Sequence, residues 1–237
     1  MDHLRTWAFT VVFYLWSALC SVVCTPILFG PRRWTMLMLK NWAKGVIWLL
    51  RVVGGVKTEF RGLEHVPTGG AMIGAKHQCM FDTFAPWSVI PDGAFVMKKE
   101  LLVIPWFGWY CLKAGCIVID RGAHSAALKK LVRDAKERAQ AGRQVIIFPE
   151  GTRTKPGAAG DYKPGVAAIY GMAGVPCTPM ATNSGVHWPK PGQVRPKGTV
   201  VFEFFPAIPP GLKRPEFMGQ LEKTIETASL GYIEQGL

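Results

Sequence analysis

The sequence predicts an α/β domain preceded by two membrane-associated helices. Residues 56–237 alternate short apolar runs, typical of buried strands, with longer stretches of helical periodicity. Strands separated by helices indicate a sheet that is covered by helices on both faces. Residues 1–55 instead contain a long uncharged run and a basic amphipathic stretch, which predict membrane-anchoring helices. We therefore expect two parts, an anchor at 1–55 and an α/β domain at 56–237.

The composition excludes several classes of protein. The 237 residues are 49% hydrophobic and carry 28 Lys and Arg against 16 Asp and Glu, a formal net charge of +12. A disordered chain would be poorer in apolar residues, and a disulfide-built miniprotein would use more than six cysteines over this length. The cysteines show neither C-x-x-C nor zinc spacing, so we expect free thiols and no metal. A basic, apolar chain favours an anionic lipid surface as partner, with nucleic acid as the competing explanation of the charge.

The first predicted element is a long apolar helix. Between Thr6 and Pro31 the chain has no charged residue, and about 20 apolar residues suffice to cross a bilayer. A helix buried in the protein is the alternative, and a signal peptide fits less well because its apolar region would be only about 7–15 residues long. More basic residues follow the run, from Arg32 to Lys44, than precede it. The positive-inside rule therefore places the rest of the chain on the cytoplasmic side, while a spanning helix and one that enters a single leaflet both stay open.

The second predicted element, Trp34–Val53, differs in its charge pattern. Its basic residues Lys40, Lys44 and Arg51 fall within roughly 40° of one another on a helix. The remaining positions are rich in Trp, Met and Leu. This pattern predicts a basic amphipathic helix with interfacial tryptophans that lies in the headgroup layer.

The α/β part begins at Val56. Short apolar runs bounded by Gly, Pro and polar residues predict strands. The predicted strands are Val56–Phe60, Ala71–Ala75, Ala94–Met97, Cys116–Ile119, Val145–Phe148, Cys177–Ala181 and Thr199–Phe205. The predicted helices are Ser125–Gln140 and Phe217–Ile233, and helical turns are expected after Asp82, Trp106 and Gly165.

A histidine and an aspartate follow the second predicted strand. His77 and Asp82 are five residues apart, so on one continuous helix they would point about 140° apart. They can meet if the chain turns between them, as at a strand-to-helix junction, which is where sites form in α/β sheets. An aspartate that accepts from one ring nitrogen would leave the other nitrogen free to take a proton from an alcohol. A helix-capping Asp82 beside a partly buried His77 is the alternative.

Several candidate anion ligands follow other predicted strands. Glu150, on the Gly-containing turn Phe148–Arg153, suits the hydroxyls of a polyol, and Arg153 with nearby backbone N–H groups suits a phosphate. Arg121 and Lys98 follow two further strands and are additional phosphate candidates. Exposed basic residues with no special role are the alternative. Together these residues predict a site where an alcohol is activated beside a phosphate.

Four short motifs occur in order along the chain. They are Lys76-His77-x4-Asp82-Thr83, Gly115–Arg121, Phe148–Arg153 and Val175–Met180. They resemble the motifs of the glycerolipid acyltransferase family, in particular the 1-acyl-sn-glycerol-3-phosphate (lysophosphatidic acid) acyltransferases. The resemblance covers about Val56 to Phe205, and the N-terminal helices are similar to the bacterial pattern. The chain departs from the family at Lys76, where many members have Asn or Ser, and at Cys79, where Ser is frequent.

The resemblance implies a fold and a reaction. The fold would be a mixed, mostly parallel sheet of about seven strands flanked by helices, of the glycerol-3-phosphate acyltransferase type. The reaction would move a fatty acyl group from a thioester to the sn-2 hydroxyl of lysophosphatidic acid, giving phosphatidic acid for phospholipid synthesis. His77 would be the general base and Asp82 its orienting partner. The expected substrate-binding residues are Lys98, Arg121, Glu150, Gly151, Thr152 and Arg153, and Val175 and Pro176 would shape the acyl or thioester end.

The resemblance also implies partners and a location. The acyl donor would be acyl-CoA or acyl carrier protein, which enters as a substrate, and no further cofactor or metal is expected. The other partners would be lysophosphatidic acid and the phospholipid bilayer, and no nucleic acid is expected. The location would be the inner (cytoplasmic) membrane, with the catalytic domain on its cytoplasmic side.

Three alternative functions stay open. The acceptor could be another lysolipid, such as a lyso-ornithine lipid, because basic residues hold many anionic headgroups. Cys79 could be the nucleophile of a thiol hydrolase with His77 as its base, although such a thiol needs its own oriented base and oxyanion site. The chain could also be a non-enzymatic basic module that binds membranes or nucleic acid, although it shows no nucleic-acid motif.

Overall fold

A computed structural model describes residues 1–120, 122 and 124–237. The helices are α1 (Asp2–Val23), α2 (Arg32–Val52), α3 (Phe107–Ala114), α4 (His124–Gln140), α5 (Pro164–Ala173), α6 (Ser184–His187) and α7 (Arg214–Glu234). The strands are β1 (Val56–Arg61), β2 (Ala71–Ala75), β3 (Gly93–Lys98), β4 (Ile117–Ile119), β5 (Gln144–Ile147), β6 (Cys177–Thr182) and β7 (Gly198–Phe204). Each predicted strand is present to within one residue at either end, because each is a short apolar run between turn-forming residues.

The strands form one seven-stranded sheet in the order β1-β7-β6-β2-β5-β3-β4. The pairing of β6 with β7 is antiparallel, and every other pairing is parallel. The prediction of a mixed, mostly parallel sheet is therefore confirmed. Because β2, β3, β4, β5 and β6 run in the same direction, their carboxyl ends meet at one edge of the sheet.

The sheet has a hydrophobic core on each face. All of β2 is buried, as expected for a central strand covered on both sides. Ile73 and Ala75 pack in the core shared with α1, α2 and the 3-10 turns after Asp82. Met72 packs in the opposite core, with side chains from α4, α5 and α7. Helices thus cover both faces, as predicted.

Helix α2 belongs to the body of the domain. Its buried side, which includes Met36, Leu39, Val46 and Leu50, lies in the same hydrophobic core as the sheet. The sheet thus occupies most of the apolar side of this helix. The predicted contact with the headgroup layer is left to its exposed apolar residues, Trp34, Leu37 and Trp48. The boundary near residue 55 therefore separates two stretches of sequence that share one core.

Helix α1 packs on the body by one side only. Phe9 and Phe13 are buried, and the indole N–H of Trp42 on α2 donates to Ser17 Oγ at 3.2 Å. The opposite side of α1 is apolar and exposed, and the helix is long and apolar enough to cross a membrane. The exposed side comprises Leu4, Trp7, Val11, Tyr14, Leu15, Leu19, Val22 and Val23.

Candidate active site

The candidate site lies at the carboxyl edge of the parallel strands. His77 follows β2, and the turn that begins at Phe148 follows the neighbouring β5. Lys98 ends β3, the next strand along. Ser184 follows β6, which flanks β2 on its other side. The topology therefore gathers residues that are distant in sequence, as predicted from their positions after strands.

The structure brings His77 and Asp82 together. The chain leaves β2, turns, and enters a 3-10 helix at Met80–Thr83. As a result, His77 Nδ1 lies 3.2 Å from Asp82 Oδ2. The Asp82 side chain is fully buried, whereas the His77 side chain is 13% exposed. The imidazole is thus the part of the pair that a substrate can reach.

Asp82 also caps the short helix in which it lies. Its Oδ2 accepts the backbone N–H of Gln78 at 2.6 Å and that of Cys79 at 2.8 Å. The capping role and the role as partner of His77, which the sequence left as alternatives, are both present in one carboxylate. These two hydrogen bonds fix the orientation of the carboxylate beside the imidazole.

The turn after β5 fixes His77 from the other side. The Phe148 ring stacks on the imidazole, with 4.1 Å between centroids and 22° between planes. The N–H and hydroxyl of Thr154 donate to the His77 carbonyl at 2.8 and 3.1 Å. The His77 N–H in turn donates to Glu150 Oε2 at 2.9 Å. Ring and backbone of the histidine are therefore both held by this turn.

Glu150, predicted as a ligand of substrate hydroxyls, makes its contacts within the protein. Its side chain is only 1% exposed, and its oxygens are occupied by the His77 N–H, the Thr154 hydroxyl and the Lys76 ammonium. Gly160 covers it so closely that a Cβ at that position would clash with Glu150 Cγ. Burial raises the pKa of Glu150, and the nearby charge of Lys76 opposes that rise. In this structure the carboxylate positions the turn through these partners, and its contact with substrate hydroxyls stays a prediction.

Lys76 connects the site to the last helix. Its buried Nζ lies 3.0 Å from Glu150 Oε1 and donates to both oxygens of Glu226 on α7 at 2.7 and 2.8 Å. The hydroxyl of Tyr162 donates to Glu226 Oε1 at 3.0 Å. Burial and the Glu226 carboxylate raise the pKa of Tyr162 far above its ordinary value. The unusual lysine is thus neutralised by two carboxylates on the face of the sheet opposite His77.

The basic candidates differ in their exposure and partners. Arg153 is exposed and forms no ion pair among the residues that the structure describes. Lys98 is exposed at the end of β3. Gly151 has a φ of +66°, a left-handed conformation that favours glycine, and with exposed Thr152 it completes the turn. Arg121 lies outside the described residues.

Comparison with known proteins adds a second line of evidence. The family described as Acyltransferase matches residues 57–183, more than half of the chain. The chain belongs to the acyltransferase family. It is 36% identical over 225 residues to a 1-acyl-sn-glycerol-3-phosphate acyltransferase of Pseudomonas aeruginosa, covering 92% of this chain and 87% of that protein. It is also 31% identical over 180 residues to a chloroplastic 1-acyl-sn-glycerol-3-phosphate acyltransferase of Arabidopsis thaliana, covering 73% of this chain and 46% of that protein.

A solved structure supports the fold of this acyltransferase. The chain superposes on the 1-acyl-sn-glycerophosphate acyltransferase PlsC of Thermotoga maritima with a TM-score of 0.82, covering 97% of this chain and 96% of that one. The two sequences are 21% identical. The predicted acyltransferase fold is therefore confirmed over 97% of the chain.

Val175 and Pro176 lie away from the acyltransferase site. They precede β6, whose first residue pairs with Met72 near the start of β2. The Pro176 carbonyl accepts the Met72 N–H at 2.9 Å, and Val175 packs in the core of the opposite face. The prediction that they shape the acyl or thioester end is corrected: the amino end of a strand parallel to β2 lies at the edge opposite His77.

Two residues that contact the site, Ser184 and Glu226, were not predicted from the sequence. Ser184 contacts Asp82, and Glu226 contacts Lys76. Ser184 could have been found, because it follows a strand predicted to lie in the same parallel sheet as β2. Glu226 could not, because a glutamate on an amphipathic helix normally faces solvent.

Proposed function

We propose that this acyltransferase moves a fatty acyl group from an acyl thioester to the sn-2 hydroxyl of 1-acylglycerol-3-phosphate, giving phosphatidic acid. The observation that carries the proposal is the partly exposed His77, held by buried Asp82 at the strand edge that also presents Lys98 and Arg153. The names of the curated relatives support the same acceptor.

His77 acts as the general base in this proposal. When Nδ1–H donates to Asp82, Nε2 carries the lone pair and takes the proton of the acceptor hydroxyl as its oxygen attacks the thioester carbonyl. The tetrahedral intermediate then collapses, the C–S bond breaks, and the imidazolium returns its proton to the departing thiolate. A positioned general base typically contributes about 10²–10⁴-fold. The thioester, from CoA or acyl carrier protein, is a substrate, and the reaction as proposed uses no metal or further cofactor.

The cations at the strand edge hold the phosphate of the acceptor. Arg153 is the strongest candidate because its guanidinium can bind a phosphate through two N–H groups. Lys98 adds a positive charge on the neighbouring strand. Arg121, which follows Asp120 at the end of β4, stays a predicted third ligand.

A thiol hydrolase centred on Cys79 is disfavoured. Its side chain is buried, and burial together with the charge of Asp82 raises the pKa of the Cys79 thiol well above its ordinary value. The thiolate is the nucleophilic form of cysteine. A thiol kept protonated in this way is a poor nucleophile.

The exposed side of α1 supports a position of the proposed site beside a bilayer. A row of exposed apolar residues on a helix that packs on the body by its other side fits insertion into a lipid surface. We place the domain on the cytoplasmic side of the inner membrane, following the excess of basic residues after α1. The acceptor then reaches His77 without leaving the lipid layer completely.

The decisive experiment assays purified protein with lysophosphatidic acid and each thioester donor. We expect phosphatidic acid as product, loss of turnover by at least 10²-fold in His77→Ala, and a smaller loss in Asp82→Asn. His65→Ala, which removes a histidine outside the site, should retain wild-type turnover.

A panel of other acceptors, including lyso-ornithine lipid, tests which lysolipid the enzyme acylates. Turnover retained in His77→Ala would overturn the assignment of the base, and faster turnover of another lysolipid would overturn the acceptor.

A further inference from the structure

The two oxygens of Asp82 have different partners. Oδ2 faces His77 and the backbone N–H groups of the turn. Oδ1 accepts the hydroxyl of Ser184, and the Cys79 sulfur lies 3.6 Å from it. Ser184 and Asp82 are both fully buried. The serine hydroxyl is therefore the strongest side-chain donor to this oxygen, because a thiol is a weak donor.

Ser184 is itself fixed in place. It begins α6, and its N–H donates to Thr182 Oγ1 at 3.1 Å at the end of β6. Its Oγ lies 3.3 Å from the Cys79 sulfur, from which it accepts. The preceding Asn183 donates to the Thr199 carbonyl and accepts the N–H of Val201, both on β7. The hydroxyl that reaches Asp82 is therefore oriented by the sheet.

We propose that Ser184 is a positioning residue that sets the basicity of the proposed base, an inference that rests on the proposed function. Its donor stabilises the anionic carboxylate and draws negative charge toward Oδ1, away from the imidazole. Without that donor the buried carboxylate would be more basic and would stabilise the imidazolium more strongly. His77 would then stay protonated, and unable to accept a proton, up to a higher pH.

Other charged and titratable groups around the pair do not replace this contact. In the part of the chain that the structure describes, the Cys79 thiol is the remaining side chain at Oδ1. Glu150 contacts the His77 backbone and is neutralised through Lys76, which also pairs with Glu226 of α7. Arg195, in the loop before β7, interacts with Cys79 at longer range. Among the described residues, the groups to consider around the pair are thus Cys79, Lys76, Glu150, Glu226 and Arg195, together with Lys98 and Arg153 at the same strand edge.

The test is the pH profile of Ser184→Ala. We expect the acid limb of kcat/KM to move to higher pH by about half to one unit. Because that shift lowers the fraction of unprotonated His77 by at most about three- to tenfold, kcat at neutral pH should fall by no more than that factor. KM for lysophosphatidic acid should stay within about twofold, because the serine does not touch substrate. Ser184→Cys, which keeps a weaker donor in nearly the same volume, should give an intermediate acid limb.

The matched control is Ser229→Ala. Ser229 is a buried serine on α7 whose Oγ accepts the Thr182 N–H at 3.3 Å. Its loss should lower the thermal unfolding temperature without moving the acid limb. Acid limbs of Ser184→Ala and Ser184→Cys that coincide with wild type, or an equal shift in Ser229→Ala, would overturn the proposal. An inactive His77→Ala with unshifted Ser184 variants would refute this inference alone, whereas an active His77→Ala would refute the proposed function.

Discussion

At the scale of single residues, Lys76 has an unusual setting beside the catalytic candidate. A lysine with a side chain only 1% exposed is rare unless it is paired. Here Glu150 lies on one side and Glu226 on the other, so the backbone of His77 is tied through Glu150 and Lys76 to α7. A neutral side chain at this position would need neither carboxylate as a counterion.

Replacing Lys76 should lower the stability of the protein, because Glu150 and Glu226 would lose their counterion. Lys76→Met would leave two carboxylates without their cation, and breaking a buried ion pair costs about 3–5 kcal/mol in the free energy of unfolding. Glu226→Gln should cost less, because Glu226 is 21% exposed and an amide oxygen can still accept from Lys76. Denaturant unfolding of both single variants and the double variant Lys76→Met/Glu226→Gln gives the coupling. The double variant should recover part of the loss, and strictly additive values would contradict the ion-pair account.

At the scale of elements, an aspartate that pairs with two arginines connects α2 to the sheet. Arg32 at the start of α2 donates to the two oxygens of Asp92 at 2.7 and 2.6 Å, and Arg143 donates to Oδ1 at 3.1 Å. Arg143 is buried and also donates to the Gly93, Ala114 and Gly115 carbonyls. Burial alone would raise the pKa of Asp92, but the hydrogen bond from Arg32 and the charge of Arg143 hold it below its ordinary value.

The Asp92 cluster predicts a pH-dependent stability. A folded-state pKa below the unfolded value of about 4 means that the stabilisation is present above that pH and is lost as the pH falls through the folded-state value. Asp92→Asn should therefore lower the free energy of unfolding by about 2 kcal/mol at neutral pH, and the difference from wild type should shrink below about pH 4. Chemical unfolding of wild type and Asp92→Asn from pH 3 to 7 measures this difference in the free energy of unfolding. Asp161→Asn, at an exposed aspartate, is the control, and a deficit that does not change with pH would contradict the ion-pair account.

At the scale of the whole molecule, charge and apolar surface act together. The chain carries a net charge of +12, and α1 presents its exposed apolar residues on the side away from the body. Apolar insertion supplies most of the affinity for a bilayer, and basic residues add attraction to anionic lipids. The contacts that hold α1 against α2 and the residues after it support a helix that enters only one leaflet. Among them, Arg5 donates to the Gly54 carbonyl and Trp16 donates to the Trp42 carbonyl.

The proposed membrane-binding surface of α1 can be tested by changing two of its leucines. Leu15 and Leu19 are 65% and 57% exposed, and burying a leucine is worth about 1.5–3 kcal/mol. The double variant Leu15→Asp/Leu19→Asp should therefore reduce partition into anionic vesicles by at least about tenfold. Leu230→Asp changes an exposed leucine of α7 and should leave partition unchanged. Vesicle flotation measures the partition of each variant. An equal loss of partition in the α1 double variant and in Leu230→Asp would show that α1 is not the membrane-binding surface.

Much of the fold and part of the site could be predicted from local patterns. The strands were predictable because each is a short apolar run, and α1 because its charge-free run is long. The meeting of His77 and Asp82 was predictable because both lie within one strand-to-helix turn. The resemblance to a known family then supplied the reaction that these residues alone suggested only in outline.

The sequence by itself determined the elements, the N-terminal apolar helix and the His77–Asp82 pair. Only the tertiary structure decided that Ser184 contacts Asp82, that Glu150 is buried under Gly160, and that Val175 lies at the far edge of the sheet. It also decided that α2 packs its apolar side on the sheet. The physical reason is that periodicity and turns depend on neighbours in sequence, whereas these contacts depend on which strands lie side by side and in which direction they run.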